Sequence, residues 1–443
     1  MVKRFIQLSG VSRITTSFAL LLVVALVAAC AAPVAQPGGA SAGQAAASGP
    51  TSIRISCWES GDALEPFNKS IEAFQKANAD IKVSLECIPQ EYGTKLLAQL
   101  AAGSGPDIFQ VGDGDVAKYV QQGAVQPLDD YINGKDGLDM NVFYPNVAKF
   151  GQVGGKTYFL TKDYSPLILF YNKKLFDEAK VEYPNENWKW EDLATAAKKL
   201  TKADGSQWGI ELPDSWGDLT WLRGTLPIIY QNGGTIISDD GKTTTGHLNS
   251  PETVQAVQWF ADLVLKDKVA PNKADIDALQ GVDLFQTGKV AMLWTGRWPM
   301  KDFQKNADLK FGTTVLPAGP KGKANALCWA GFTINSASKN KDTAWKFLKY
   351  IAAGDGAKEF ANYALTAVKA VADGQNLAKD EFNAPVIKVL EDVKPLPEFT
   401  TPKWADCGDK AYKAAMEEIF LKGTAVQAAL DAAAKDADSC LTK

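Results

Sequence analysis

The sequence predicts an α/β protein built from two lobes, and two observations support this. From residue 52 onward, strand-like and helical segments alternate, as expected for mostly parallel sheets flanked by helices. Within Gly155–Phe176, two strand-like runs are separated by polar residues, as where a chain passes between lobes. We place a hinge at Lys162–Ser165. The same stretch is compatible with two consecutive strands of one sheet, and taken alone it leaves both interpretations open.

Residues 1–29 have the pattern of an export signal. Lys3, Arg4 and Arg13 precede an apolar core, Phe18–Val27, which is shorter than the ~20 residues of a membrane-spanning helix. The following Val27-Ala28-Ala29-Cys30 resembles a bacterial lipobox, which predicts cleavage before Cys30 and lipidation of that cysteine. The alternative is ordinary signal cleavage a few residues away.

The expected mature chain is acidic and begins with a flexible tether. No acidic residue precedes Cys30, so removing three basic residues changes the net charge from −4 to −7. Such a chain is a poor candidate for nucleic-acid binding, and the lipid is its expected membrane contact. Residues 31–50 are small or polar and uncharged, which predicts a tether spanning on the order of 25 Å.

The segments before the hinge predict one lobe. Phe67, Ile71 and Phe74 recur at helical spacing, and Gly103 and Gly123 are expected to end helices. The predicted strands are Ser52–Trp58, Ile81–Ile88 and Pro106–Val111, and the predicted helices are Leu64–Asn78, Thr94–Ala102 and Asp115–Gln122.

The segments beyond the hinge are richer in helix. We expect Phe311–Leu316 to return towards the first lobe. The predicted helices are Trp190–Leu200, Pro251–Lys266, Asp275–Gln286, Asp342–Ala353 and Asp409–Leu441, and the other predicted strands are Gly288–Trp294 and Ala330–Asn335.

Export permits disulfide bonds among the cysteines that follow Cys30. Cys57 and Cys87 end successive predicted strands, while Cys407 and Cys440 lie in the C-terminal helical region. We expect these two pairs, with Cys328 outside both. The sequence has no CxxC motif and a single histidine, so we expect no metal and no cofactor.

Polar and aromatic residues follow the predicted strands where a ligand would bind. The C-terminal ends of parallel strands meet at one edge of a sheet. Glu59 follows the first strand, Asp113 follows the third, and Asp163 with Tyr164 lies at the hinge. Other turns carry tryptophan: Trp216, Trp294, Trp298, Trp329 and Trp404. Carboxylates accept hydrogen bonds from sugar hydroxyls, and flat aromatic rings cover the apolar face of a sugar.

Each candidate also has a structural explanation. Asp113 could equally cap a helix, and Arg297 could bind an anion or pair with an acid. Trp298, Trp329 and Trp404 stand beside Gly or Pro in turns, which favours ligand contact. Trp259 and Trp345 lie on helical stripes and are expected in the core. The sequence leaves four other tryptophans undecided: Trp188, Trp190, Trp208 and Trp221.

Several segments, in this order, resemble the bacterial extracellular solute-binding proteins of ABC-type sugar importers, the maltose-binding-protein-like group. They are PDIFQVGDGDVAKYVQQGAVQPLDDYI, GKTYFLTKDYSPLILFYNKKLFDEA with the later WKWEDLATAAKKLT, FQTGKVAMLWTGRW, and AGFTINSASKNKDTAWKFLKYI. The similarity runs from about Ser52 to the C-terminus, and the lipobox agrees with it.

The resemblance implies a periplasmic-binding-protein-like fold with a ligand cleft between two hinged lobes. The implied first lobe comprises residues 52–162 and 316–371, and the second comprises residues 163–315 and 372–443. Ligand contacts are implied at Trp298, Trp329, Gly331 and Trp404, and acidic contacts at Glu59 and Asp113, with Asp163 or Tyr164 at the hinge. The family often has two glycines or Trp-Gly where this chain has Trp329-Ala330-Gly331, which puts the contact at Gly331 in question.

These observations predict a lipid-anchored, extracytoplasmic binding protein rather than an enzyme. It is expected to capture a di- or oligosaccharide by hinge closure and to deliver it, as a monomer, to the permease of an ABC importer. Its partners would be the sugar, the permease and, through Cys30, the membrane. The alternatives are a secreted glycan-active enzyme and a surface adhesion or sensory module on the same fold.

Overall fold

Two sheets organise the part of the chain that the structure describes. The computed structural model describes residues 49–112, 115–212, 221–279, 282–393, 401 and 403–443. The strands in chain order are β1 Thr51–Cys57, β2 Ile81–Cys87, β3 Ile108–Gly112, β4 Gln152–Val153, β5 Lys156–Thr157, β6 Leu160–Pro166, β7 Ile168–Asn172, β8 Trp208–Glu211, β9 Val290–Thr295, β10 Phe311–Thr314, β11 Leu327–Ile334 and β12 Leu365–Thr366.

Helices cover both sheets. In chain order they are α1 Glu65–Ala77, α2 Tyr92–Ala101, α3 Val116–Gln121, α4 Asp129–Ile132, α5 Pro145–Ala148, α6 Lys173–Ala179, α7 Trp190–Leu200, α8 Leu222–Gln231, α9 Pro251–Leu265, α10 Lys273–Ala278, α11 Met300–Lys305, α12 Lys341–Ala353, α13 Gly356–Phe360, α14 Lys369–Gly374, α15 Ala384–Lys388, α16 Lys410–Lys422 and α17 Val426–Leu441. None of these described helices is long and apolar enough to cross a membrane.

The first sheet has the strand order β12-β6-β11-β3-β1-β2. β1 pairs in parallel with β2 and β3, whereas β11 runs antiparallel to both β3 and β6. Ile53, Ile55 and Cys57 alternate along β1 as fully buried residues, and Phe67 and Phe74 of α1 are buried beneath the sheet. We call this sheet with α1, α2, α3, α12, α13 and their connecting segments the first body, since Tyr92 of α2 and Tyr119 of α3 both contact β3.

The second sheet has the order β10-β7-β9-β8, with β7 antiparallel to both of its neighbours. Its core is aromatic: Phe170 of β7 lies 5.4 Å from Phe303 and 6.1 Å from Phe311, centroid to centroid. Helices α16 and α17 belong with this sheet, since the Tyr412 and Thr225 hydroxyls hydrogen-bond at 2.6 Å. We call this sheet with α6 to α9, α11, α16 and α17 the second body.

The chain passes between the bodies where the sequence predicted a crossing, but not through a break in the strand. β6 belongs to the first sheet and β7 to the second, and only Leu167 separates them. The predicted hinge residues Lys162–Ser165 lie inside β6, because neighbouring strands and charges satisfy their polar groups. The predicted α/β class with two sheets is confirmed, and the residue boundaries of the lobes stay a prediction.

Three other expectations need correction. β10 does not join the first lobe: it pairs with β7, and the chain returns to the first sheet only at β11. The helix predicted at Asp275–Gln286 ends at Ala278, and Asp283 instead accepts hydrogen bonds from Gln286 in a separate turn. The predicted C-terminal helix is two helices, divided at Gly423, whose φ of 70° favours glycine.

Both expected disulfides are present. Cys57 and Cys87 are direct partners in the register of β1 and β2, with Cα atoms 4.5 Å apart. Cys407 and Cys440 join the turn before α16 to the end of α17, with Cα atoms 5.4 Å apart. Cys328 lies outside both bonds.

Candidate ligand-binding site

A charged cluster brings together Gln110 of β3, Lys162 and Asp163 of β6, and Glu59, which follows β1. The Glu59 Oε1 atom accepts hydrogen bonds from Gln110 Nε2 and Lys162 Nζ, each at 2.8 Å. Lys162 Nζ is also 3.1 Å from Asp163 Oδ2. Glu59 Oε2 and Gln110 Oε1 are buried, and neither accepts a hydrogen bond from the described residues. A buried acceptor without a donor is unfavourable, so these two oxygens point to a missing donor.

The charges of the cluster depend on one another. Burial disfavours the charged form of Lys162, but the Asp163 and Glu59 carboxylates raise the pKa of Lys162 above its ordinary value. Burial also raises the pKa of Asp163, because attraction to Lys162 and Arg297 only partly offsets lost hydration and the repulsion from Glu59. The arrangement is therefore two carboxylates held around one buried ammonium group.

A small cavity of about 220 Å³ adjoins this cluster, and Gln110 is part of its lining. Trp58 and Tyr92 also line it, edge to face, with ring centroids 5.5 Å apart. The Trp58 ring lies beside Gly112 of β3, where a Cβ atom would be in ordinary van der Waals contact with the ring at 3.4 Å. The first body thus offers aromatic rings beside hydrogen-bond acceptors.

Asp115 adds a carboxylate to the lining of the same cavity. Burial raises the pKa of Asp115, while the positive charges of Lys118 and Arg223 lower it. Arg223 belongs to α8 of the second body, whereas every residue that lines this cavity lies between Trp58 and Tyr119.

The second body contributes an aromatic rim after β9. The Trp298 ring folds over Gly296, where a Cβ atom would lie only 2.0 Å from the ring. Trp298 is 37% exposed and meets Trp221 edge to face, with centroids 6.3 Å apart. A large exposed ring beside a glycine turn is available to stack on a ligand.

Arg297, next to this rim, forms hydrogen bonds within the protein. Its backbone N–H donates to the Ser165 hydroxyl at 2.8 Å, and its Nε donates to Asn383. Burial lowers the pKa of Arg297 to about 10, although the Asp380 and Asp163 carboxylates oppose the shift. Arg297 is therefore engaged inside the protein by a hydrogen bond to Asn383 and by the charges of Asp380 and Asp163.

Besides the hydrogen bond between Arg297 and Ser165, described side chains of the two bodies meet at other places. Lys118 of α3 lies 3.9 Å from Asp406 in the turn before α16. Elsewhere Lys305 of α11 pairs with Asp62 of the first body, and Lys301 lies 3.5 Å from the centre of the Tyr363 ring.

A larger cavity of about 970 Å³ shares no lining residue with the Glu59 cluster. Its lining is mostly apolar and includes Tyr144, Phe150, Tyr164 and Leu390. It also includes Val393, which borders residues outside the described part of the chain. Size alone does not identify a ligand site, and the paired carboxylates and exposed aromatic ring lie elsewhere.

Comparison with known proteins agrees with this geometry. The sequence profile of the bacterial extracellular solute-binding proteins matches residues 59–358. The chain belongs to this family. A putative binding protein of Brucella abortus (strain 2308) is 27% identical over 401 residues, covering 88% of this chain and 93% of the relative.

Solved structures of similar proteins have the same fold. An ABC substrate-binding protein from Listeria monocytogenes in complex with cycloalternan has a TM-score of 0.78 and 27% identity, covering 89% of this chain and 99% of its own. The maltose/maltodextrin-binding domain MalE from Bdellovibrio bacteriovorus bound to maltotriose has a TM-score of 0.75 and 22% identity, covering 89% of this chain and 100% of its own. These neighbours are two-lobed, as predicted for this solute-binding protein.

Several of the predicted contacts of this solute-binding protein are buried in the structure. Trp329 stacks on Phe150 with centroids 5.7 Å apart, and Trp294 is only 1% exposed. Trp404 is also 1% exposed, and its indole N–H donates to Asp409 at 2.9 Å. Tyr164 is buried in β6. The buried indole N–H groups of Trp294 and Trp329 have no acceptor among the described residues, and Tyr164 lines the larger cavity, so contact of these residues with ligand stays a prediction.

Gly331 has a steric explanation. A Cβ atom there would lie 2.7 Å from the Leu160 carbonyl oxygen of the adjacent strand. The close approach of β11 and β6 therefore requires glycine, whether or not a ligand contacts it. Three further predicted residues, Cys30, Asp113 and Trp216, lie outside the described residues.

Sequence reasoning placed Glu59 and Asp163 correctly at one cluster but missed other members of the site. Gln110 lies inside an otherwise apolar strand, and a polar residue at a buried strand position was a usable signal. The sequence placed Lys162 in the polar segment predicted to join the lobes, and its neighbours in the sequence give no sign that its side chain points into the protein. Trp58 was noted only as a neighbour of Glu59.

Proposed function

We propose that this solute-binding protein captures an oligosaccharide between its two bodies and delivers it to the permease of an ABC importer. The observation that carries the proposal is the pair of buried acceptors, Glu59 Oε2 and Gln110 Oε1, which have no donor among the described residues. They lie beside the Trp58 ring, and the second body offers Trp298. Sugar hydroxyls would supply the donors, and sugar ring faces would cover the aromatic surfaces.

The size of the ligand follows from the same surfaces. One sugar unit covers about one aromatic ring, and Trp58 and Trp298 belong to different bodies. A ligand of two or more units would contact both bodies, and contacts to both provide the differential affinity that closure requires. The relatives crystallised with cycloalternan and maltotriose support an oligosaccharide for this chain.

The test is thermal melting of the purified protein with maltotriose, cycloalternan, glucose and glycerol 3-phosphate. A ligand that binds only the folded protein stabilises it by about 2.7 kcal/mol at a hundred times its Kd. We expect an oligosaccharide to raise the Tm and glycerol 3-phosphate to leave it unchanged, because Arg297 is paired internally. A shift with glycerol 3-phosphate alone would contradict the proposal, as would turnover of a glycan.

We infer further that the protein is a monomer held at the outer face of the cell membrane by a lipid on Cys30. The basic start, short apolar core and lipobox-like Ala28-Ala29-Cys30 support this inference. Cys30→Ser should move the protein from the membrane fraction to the soluble fraction, whereas Cys328→Ser should not. Equal membrane association of both variants would refute lipid anchoring at Cys30.

A further inference from the structure

Lys162 is a cation buried inside the first body. Its side chain is 5% exposed. Its Nζ atom lies 5.4 Å, 5.7 Å and 5.2 Å from the ring centres of Phe67, Phe332 and Phe360, respectively. Burying an ammonium group is unfavourable unless charges and hydrogen bonds compensate it, although aromatic rings contribute some attraction. A lysine in such a place needs an explanation beyond packing.

The backbone of β6 is shaped so that this lysine faces inward. Opposite β11, Gly331 pairs with Thr161 and Ala330 pairs with Asp163, so Lys162 is the extra residue of a bulge. Bulges redirect single side chains in otherwise regular strands. The redirected ammonium group reaches Glu59, which follows β1 at the other end of the cluster.

Glu59 is held on one oxygen only. Lys162 and Gln110 both donate to its Oε1 atom, which leaves Oε2 buried and without a donor from the described residues. A carboxylate held in this way has one orientation: its Oε1 atom is hydrogen-bonded within the protein, and its Oε2 atom can accept a hydrogen bond from a ligand. Preorganised groups of this kind bind a ligand with less loss of entropy than mobile ones.

We propose that Lys162 is a positioning residue for ligand binding, which acts by holding the Glu59 carboxylate so that Oε2 accepts a hydrogen bond from a ligand hydroxyl. This inference rests on the proposed function and extends it to a residue that does not itself contact the ligand. The Glu59 and Asp163 carboxylates both contact the Lys162 ammonium group, and the positive charge of Arg297 acts on Asp163. Asp380 in turn acts on Arg297.

The test is a double-mutant cycle with Lys162→Met, Glu59→Gln and the double variant, using maltotriose as the probe in isothermal titration. Methionine keeps the length and the contacts with the aromatic rings but removes the charge. Lys162→Met alone should raise the Kd by about tenfold to a hundredfold, the range for a hydrogen bond to a charged group. Lys82→Met, an exposed lysine on β2 of the same sheet, is the matched control and should leave the Kd unchanged.

The decisive comparison is the effect of Lys162→Met in the two backgrounds. If Lys162 acts through Glu59, the same change should alter the Kd less than threefold once Glu59 is glutamine. A purely structural role would weaken binding by the same factor in both backgrounds, and that result would overturn the proposal. An unchanged Kd for Lys162→Met alone would overturn it as well.

Folding of the variants is itself informative. If Lys162→Met fails to fold but the double variant folds, the lysine is needed because of the Glu59 charge, which supports the proposal. If neither folds, Lys162 is structural and the proposal fails. If the wild-type protein binds neither maltotriose nor cycloalternan, the proposed function fails first, and that outcome is visible before any variant is made.

Discussion

Trp298→Ala separates ligand binding from folding more cleanly than any other tryptophan substitution in the predicted site. The side chain is 37% exposed, and a tryptophan of about 250 Å² therefore leaves ~90 Å² for a ligand to cover. At about 25 cal/mol per Å², full coverage is worth ~2 kcal/mol. Loss of this contact should raise the Kd about thirtyfold.

The assay is calorimetric titration of wild type and variant with the oligosaccharide that raises the wild-type Tm most. Urea unfolding of both proteins without ligand measures the effect on stability. Trp259→Ala is the matched control, because Trp259 is also partly exposed and stacks on Trp190 at 4.3 Å, but lies on α9. Trp259→Ala should lower the free energy of unfolding and leave the Kd within about twofold of the wild-type value.

Equal Kd values for Trp298→Ala and wild type would refute the reasoning, since an exposed ring at the rim would then not touch the ligand. A similar loss of affinity in Trp259→Ala would also refute it, because the effect would then follow from general destabilisation. The comparison is informative only where both variants remain folded, which the urea curves establish before titration.

Three further predictions concern stability. Gly331→Ala should lower the free energy of unfolding by about 1–3 kcal/mol through overpacking against Leu160, and lost affinity without lost stability would instead establish ligand contact. Replacing Cys57 and Cys87 by alanine should cost about 3–4 kcal/mol in urea unfolding, from the chain-entropy cost of a 30-residue separation; no change would contradict the bond. Burial would raise the pKa of Asp438, but hydrogen bonds from the neighbouring threonines hold this pKa at about 2. Its stabilisation, less than about 1 kcal/mol after solvent screening, should be lost as pH falls from about 4 to 2, and the wild-type advantage over Asp438→Asn should vanish there.

The elements that local pattern determines were predictable from the sequence. Helix α7 was placed at its observed bounds, because apolar residues recur at helical spacing between polar neighbours. The disulfide between Cys57 and Cys87 followed from their positions at the ends of successive strands, since paired parallel strands bring such ends together. These predictions depend on the residue pattern within each helix or strand, and the structure adds the register in which the strands pair.

The errors arose where distant groups override local pattern. Polar residues 161–165 predicted a break, yet they form the continuous strand β6, because Glu59 from another segment pairs with Lys162. Trp329 was predicted in a turn, yet it lies in β11 and stacks on Phe150. Trp404 is buried, with its indole N–H donating to Asp409, whereas Trp298 is exposed. Contact of these tryptophans with ligand stays a prediction. Neither the charge partner nor the stacking partner is visible within a window of sequence.

The contacts between the two bodies bear on how binding would drive closure. The pair Lys305–Asp62 is solvent-exposed and the pair Lys118–Asp406 is partly exposed, and ion pairs in such places contribute roughly 0–1 kcal/mol each. Two such pairs are too weak to hold the bodies together against the entropy of an open ensemble, and salt screens them further. Under the proposed function, the ligand would supply the main closing free energy through contacts to Glu59 on one side and Trp298 on the other. It follows that Lys305→Ala should change the Kd only a few-fold and lose even that effect in 0.5 M salt, whereas the effect of Trp298→Ala should persist there.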